Sequence, residues 1–161
     1  MVRAASALRA ALVAGALLVT PTLAGEAEIA YLHSLAGDWT GTGNVSGPDG
    51  GKVACRIVMK AAGDRVNFSG RCNAPGDAGA QSFSGSIRYS DQRRRYESSS
   101  SGITVIGDLK GATLTFVTAQ KTIQGDINST MTVSPRALKM QFHVTDTKGR
   151  TYQGAIPFSR S

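Results

Sequence analysis

The chain has 161 residues, with 18 Lys and Arg against 11 Asp and Glu, a formal net charge of +7, and only 6% aromatic residues. This length suits a single domain with a real hydrophobic core. The positive charge is not concentrated enough to indicate a nucleic-acid-binding protein. The only histidines, His33 and His143, are far apart in sequence and the chain has two cysteines, which argues against a usual zinc site.

The first 24 residues have the pattern of a secretory signal peptide. Arg3 and Arg9 precede an apolar run over 10–19, and small residues up to Ala24 suit signal peptidase. We predict cleavage after Ala24 and a single mature β-barrel domain over 25–161, located in the periplasm or secreted. The apolar run is shorter than the roughly 20 residues that cross a bilayer, so no transmembrane anchor is expected in the mature chain.

The mature chain begins with a short helix or ordered arm over 26–35. The next segment, 37–45, predicts the first strand of a small barrel. This strand should bend sharply, because a tryptophan and two glycines share one side of it. The residues on that side are Trp39, Gly41, Gly43 and Val45.

The stretch 55–72 predicts a β-hairpin that carries a disulfide. Gly63-Asp64 suits a type II′ turn, and pairing residues whose numbers sum to 127 places Cys55 opposite Cys72. Cysteines facing each other across two strands are within reach of a bridge, which an oxidising compartment preserves. The alternative is a pair of buried free thiols.

The alternation continues over 83–89, and a turn through 91–94 pairs Tyr89 with Tyr96. The following run of serines, 98–101, is a poor candidate for a core strand, so we predict an edge or a mobile lip.

Four arginines cluster near this turn. They predict either a solvated loop or a partner-binding surface for an acidic envelope protein or an anionic surface. They are Arg88, Arg93, Arg94 and Arg95.

Two turns in the C-terminal third of the chain each predict how the flanking strands pair. The turn at 134–137 pairs Met131 with Met140, and a bulged type I turn ending at Gly149 pairs Phe142 with Gly154. Both turns predict the same inner face, which begins at Ile123. The whole pattern predicts an all-β protein, an antiparallel up-and-down barrel of about 8–10 strands or a sandwich, with one hairpin disulfide.

The predicted inner face carries no Asp, Glu, His, Lys or Arg, so an enzyme is not expected. An apolar interior predicts binding of a small hydrophobic ligand, although a filled core would use the same residue types. Several inward glycines favour a cavity because they remove side-chain volume. The predicted ligand-binding residues are Trp39, Phe68, Phe83, Tyr89, Met131, Met140 and Phe142.

The segment Gly37-Asp38-Trp39-Thr40-Gly41-Thr42-Gly43 resembles the Gly-x-Trp-x-Gly-x-Gly opening of the nitrobindin haem barrels, within the calycin group of lipocalins, fatty-acid-binding proteins and their relatives. It is also similar to small, uncharacterised exported barrels of alphaproteobacteria that have two cysteines. The calycin resemblance implies an apolar cavity whose base Trp39 closes. The nitrobindins that this opening resembles carry a haem-ligating histidine near the final strand. Here the segment 150–154 has none and His143 is predicted to face outward, so no cofactor is expected.

Two functions follow from these patterns. The first is an exported, non-enzymatic barrel that binds a small hydrophobic ligand in its interior. The alternative is a protein-binding module of the cell envelope, a hydrolase inhibitor or a scaffold, with a filled core. The placement of the bridge is similar to that in small disulfide-bridged barrels with protease-inhibitor roles.

Overall fold

The computed structural model describes residues 25–76, 79–123 and 125–161; the predicted signal peptide lies outside these ranges. The described residues form one helix, α1 (Glu26–Ser34), and ten strands. The strands are β1 (Gly37–Ser46), β2 (Gly51–Ala62), β3 (Arg65–Asn73), β4 (Ala80–Ser90), β5 (Arg95–Ser100), β6 (Ile103–Lys110), β7 (Thr113–Thr122), β8 (Gly125–Val133), β9 (Leu138–Asp146) and β10 (Thr151–Arg160). The nine-residue α1 has neither the length nor the apolar character that crossing a membrane requires.

The ten strands form a closed antiparallel barrel in which each strand pairs with its neighbours in sequence. Closure comes from β1, which pairs with β2 on one side and with β10 on the other. The predicted all-β, up-and-down barrel is therefore confirmed.

The cysteine hairpin has the predicted register. Cys55 lies opposite Cys72 and the two are joined by a disulfide. Gly63 adopts a positive φ of 59°, as the first of the two central residues of a type II′ turn requires. Local turn chemistry and the alternation of the two strands therefore determine this part of the barrel.

The two C-terminal registers are also confirmed. Met131 pairs with Met140 and Phe142 pairs with Gly154. Gly149 has a φ of 74°, and the Asp146 carboxylate accepts hydrogen bonds from the backbone N–H groups of Lys148 (2.8 Å) and Arg150 (2.9 Å). Asp at the start and Gly in the left-handed position therefore act together in this turn.

Two predictions in the middle of the chain are wrong. The serine-rich β5 is not an edge, because it pairs with both β4 and β6 in the closed barrel. Its hydroxyl groups find local partners: Ser100 donates to the carbonyl of Ser84 at 2.7 Å. Ile123 is 95% exposed instead of inward, because β7 ends at Thr122 and the chain turns there before the alternation resumes in β8.

The helix α1 closes one end of the barrel. It packs against the ends of β2, β3 and β4, and Leu32, Leu35 and Trp39 are completely buried there. The indole N–H of Trp39 donates to the carbonyl of Leu35 at 3.4 Å, and the Arg160 guanidinium lies 4.8 Å from the centre of the indole ring. Because Arg160 also donates to the carbonyl of Ser34 at 2.9 Å, the last strand is attached to the helix.

Tyr31 of α1 joins a cluster of three tyrosines at this closed end. Its ring lies 5.6 Å from that of Tyr96, which lies 5.1 Å from that of Tyr89, both in edge-on geometry. The Tyr31 hydroxyl donates to the carbonyls of Ala112 (3.1 Å) and Val133 (3.3 Å). Burial raises the pKa of Tyr31 and of Tyr96 to about 12.

These raised pKa values predict a loss of stability in strong alkali. Between pH 10 and 12 the folded state keeps protons on Tyr31 and Tyr96 that the unfolded state releases, so the free energy of unfolding falls as pH rises. In a spectrophotometric titration of the folded protein, we expect Tyr31 and Tyr96 to ionise near pH 12, well above the pKa of a free tyrosine. The Tyr96→Phe variant should lose one late-titrating group; a single transition near pH 10 for all tyrosines would contradict the buried cluster.

Candidate functional site: the open half of the barrel interior

The barrel interior has two halves that differ in burial. Near α1 most inward side chains are completely or almost completely buried, including Val66, Ile87 and Leu114 at 0% exposure, although Tyr89 is half-buried. Towards the opposite end, inward side chains of β4, β8 and β9 are only half-buried. We call this second region the open half. Its half-buried inward residues include Phe83, Thr118, Ser129, Met131, Met140, Phe142 and Val144.

The strand register makes the residues of the open half a continuous surface. Ser129 lies directly opposite both Thr118 on β7 and Phe142 on β9. One step towards the closed end, Met131 lies opposite Met140. Side chains in directly opposed positions touch, so β7, β8 and β9 present a wall that is mainly apolar and contains two hydroxyl groups.

The inward glycines do not leave empty space, contrary to the argument made from the sequence. At five of them a Cβ atom would collide with a phenyl ring of a neighbouring strand; for Gly154, it would lie 2.7 Å from the Phe142 ring. At Gly43 and Gly125 it would collide with the backbone of the neighbouring strand. A phenyl ring therefore occupies the space beside each of those five glycines. The glycine and ring pairs are Gly41 with Phe158, Gly70 with Phe83, Gly85 with Phe68, Gly107 with Phe116, and Gly154 with Phe142.

The wall of the open half is uncharged over the inward positions named above. The first charged side chain at the rim is Asp146, whose carboxylate binds the Arg150 guanidinium at 2.7 Å. Among the described residues, no group of three or more His, Cys, Asp and Glu side chains is arranged to hold a metal ion. The wall therefore offers apolar contact and hydroxyl hydrogen bonds.

The seven predicted ligand-binding residues separate into two groups. Trp39 and Tyr89 lie at the closed end, where Trp39 bonds to the carbonyl of Leu35 and Tyr89 packs on Tyr96. Phe68 is 9% exposed and its ring lies 6.4 Å from that of Phe83, so it marks the boundary between the two halves. The remaining four lie in the open half: Met131, Met140 and Phe142 on the wall formed by β7–β9, and Phe83 on β4.

Sequence reasoning missed Thr118 and Ser129 as members of this wall. Both lie at inward positions of their strands and both are half-buried. The alternation around Met131 already placed Ser129 on the inner face. It was left out of the predicted site because only apolar residue types were considered.

Two of the four predicted partner-binding arginines are engaged within the chain. Arg88 donates two hydrogen bonds to one carboxylate oxygen of Glu97 (3.2 and 2.9 Å), and Arg93 donates to the other oxygen at 3.1 Å. These two guanidinium groups cover Glu97 on the outer wall, so the carboxylate is only 1% exposed. A partner surface at this turn stays a prediction that now depends on Arg94 and Arg95, both exposed.

His143 lies on the outer surface of β9, away from the barrel interior. It lines a shallow groove of about 630 Å³ that crosses the outer wall, together with polar side chains such as Gln141 and Gln153. An axial ligand for a haem inside the barrel would have to come from the inner face, so His143 is unsuited to that role.

Comparison with solved structures shows the fold class. Rv2717c from M. tuberculosis aligns with a TM-score of 0.58 and 13% identity, over 83% of this chain and 96% of that chain. The S-type phycobiliprotein lyase CPES from Guillardia theta aligns with a TM-score of 0.53 and 8% identity, over 82% and 91%. No protein-family model and no curated protein sequence matches the chain.

At these identities the likeness concerns the fold alone. The likeness supports the closed antiparallel barrel fold of this chain, and the calycin resemblance noted in its first strand stays a prediction. The closer likeness to nitrobindins and to alphaproteobacterial exported proteins stays a prediction.

Proposed function

We propose that the mature chain is an exported, non-enzymatic barrel that binds a small hydrophobic ligand in its open half. The observation that carries this proposal is the difference between the two halves of the interior. Trp39, Ile87 and Leu114 are fully buried at the end that α1 closes, whereas Met131 and Phe142 of the same inner face are half-buried. A half-buried, uncharged, apolar concave wall is the usual surface for an apolar ligand.

The composition of the wall defines the ligand further. Phe83, Met131, Met140 and Phe142 supply apolar contact, and the methionines adapt to irregular shapes. Thr118 and Ser129 add hydroxyl groups on one side, which suits a ligand with one hydrogen-bonding group on an apolar body. Since this wall offers no carboxylate, imidazole or amine, we propose binding without chemical conversion.

Export is the second part of the proposal. The disulfide between Cys55 and Cys72 is compatible with an oxidising compartment outside the cytoplasm. The predicted signal peptide supports the same location. Together they favour a periplasmic or secreted carrier.

A pair of adjacent substitutions tests binding in the open half. Ser129→Phe places a ring on the inner wall beside Phe142, so the affinity for an apolar fluorescent dye such as N-phenylnaphthylamine should fall by roughly tenfold or more. Thr130→Phe is the matched control, because Thr130 pairs with Gln141 on the outer face. The measurement is dye titration followed by fluorescence, with displacement by fatty acids and sterols.

Equal dye affinity in the Ser129→Phe, Thr130→Phe and unmodified proteins would place the dye outside the open half. Failure of the unmodified protein to bind any apolar probe, with no ligand found by mass spectrometry after native purification, would refute the proposed function. Melting temperatures of both variants establish that each one is folded.

A further inference from the structure

The outer face of β2, β3 and β4 is strongly basic. These three adjacent strands carry six basic residues and no acidic residue. Neighbouring carboxylates neutralise three of them. The ion pairs are Arg56 with Asp38 (2.8 Å), Arg65 with Asp64 (2.9 Å) and Arg88 with Glu97 (2.9 Å).

The other three basic residues are exposed and form no ion pair with another described residue: Lys52, Lys60 and Arg71. Arg71 is the central one of the three, because it lies directly opposite Arg56 across β2 and β3. Like charges in opposed positions destabilise a sheet. The adjacent disulfide between Cys55 and Cys72 holds this register, so the two strands cannot slip to separate the two arginines.

Two grooves flank the arginine pair on the outer wall. One has a volume of about 680 Å³ and the other about 480 Å³, and both are lined by Arg56 and Arg71. The smaller groove also has three serines on the outward side of β3 and β4, and Ser82 lies directly opposite Arg71. Guanidinium N–H groups and serine hydroxyls are therefore collected in one place: Arg56, Arg71, Ser69, Ser82 and Ser84.

We propose that this surface binds a phosphate group between Arg56 and Arg71. An arginine presents five N–H donors in a plane and pairs strongly with phosphate oxygens. Arg56 gives one N–H to Asp38, which leaves further donors for a ligand, and the Arg71 donors are unused by other described residues. The serine hydroxyls complete a set of donors around a tetrahedral anion. An anion here also removes the repulsion between the opposed arginines.

The site is independent of ligand binding in the barrel interior, since Arg56 and Arg71 face outward while Cys55 and Cys72 beside them face inward. The phosphate could be a free ion or the headgroup of a phospholipid, and the chemistry of recognition is the same. Two probes distinguish these sources. They are inorganic phosphate, and vesicles of phosphatidylglycerol with phosphatidylcholine compared with vesicles of phosphatidylcholine alone.

The test uses the mature chain in a buffer without phosphate, with Arg71→Gln as the variant. Lys110→Gln is the matched control, because Lys110 is also exposed, lies on β6 away from β2–β4 and loses the same charge. Phosphate binding is measured from amide chemical shifts of residues 69–71 and 82–84, and vesicle binding by sedimentation. We expect Arg71→Gln to weaken binding of whichever probe binds by roughly tenfold, and Lys110→Gln by less than about twofold.

Loss in Arg71→Gln alone supports the site, and the probe that responds identifies the source of the phosphate. Equal losses in the two variants would mean that the probes respond only to net charge, which overturns the proposal. Absence of binding of both probes to the unmodified chain overturns it as well. The melting temperature of Arg71→Gln should stay level or rise, since the substitution removes a like-charge contact.

Discussion

Replacing Leu32 with alanine should lower the free energy of unfolding by about 2–5 kcal/mol, the range found for buried leucines whose removal leaves a cavity. Leu32 is completely buried and belongs to the same core cluster as Leu35 and Trp39. The loss is measured by chemical denaturation. The emission of Trp39, the single tryptophan, serves as the signal because its ring is fully buried in the folded state.

The control for this experiment is Glu26→Ala in the first, exposed turn of the same helix. It removes only a favourable interaction with the helix dipole and should cost less than about 1 kcal/mol. If Leu32→Ala has a cost as small as Glu26→Ala, α1 does not pack firmly on the barrel. The boundary between a closed and an open half would then be lost, together with the basis for placing a ligand in the open half.

Removing the disulfide with Cys55→Ala and Cys72→Ala together should lower the free energy of unfolding by roughly 3 kcal/mol. The bridge joins residues separated by 17 positions, and cross-linking a loop of this size mainly restricts the unfolded chain. Reduction of the unmodified protein should produce a similar decrease. The measurement is denaturant unfolding with and without dithiothreitol.

The double variant is its own control for the reductant, because dithiothreitol should not affect a chain that has no cysteines. An unchanged midpoint after reduction of the unmodified protein would show that the bridge contributes nothing to stability.

Different regions of the barrel would then have different structural and binding roles. The helix and the core beneath it fill one end, and the disulfide restrains the β2–β3 hairpin. The open half is left with an uncharged inner wall, and the outer face of β2–β4 carries a positive charge that its own carboxylates only partly neutralise. An interior for apolar ligands and an exterior for anions are compatible because alternate residues of each strand face opposite sides.

Hairpin geometry could be predicted from the sequence because it depends on neighbouring residues. The turn at Gly63 and the bulged turn at Gly149 each specify which residues pair, and the alternation then assigns each side chain to one face. The prediction failed where an alternation ended without a clear breaker, as at Ile123. It also failed for β5, because serines suggested an edge and no local pattern reveals that a sheet closes.

The candidate site was predicted only in part, for a related reason. Met131, Met140 and Phe142 were identified because inward position and apolar character coincide there. Whether an inward residue is sealed or accessible depends on what covers it, and the packing of α1 on one end decides this for Trp39, which is fully buried. The ring positions also depend on neighbouring strands. The Phe83 ring of β4 fills the space beside Gly70 of β3, so this glycine makes room for a ring and does not leave a cavity.

Period-two alternation and turn chemistry act over a few residues, so the strands, the hairpin registers, the facing cysteines and the uncharged inner face follow from the sequence. Three further features depend on the tertiary structure: the pairing of β1 with β10, the closing of one end of the barrel by α1, and the burial of Glu97 beneath Arg88 and Arg93. Each of these depends on contacts between segments that come together only when the sheet curves and closes. No pattern within a single strand or turn can specify them.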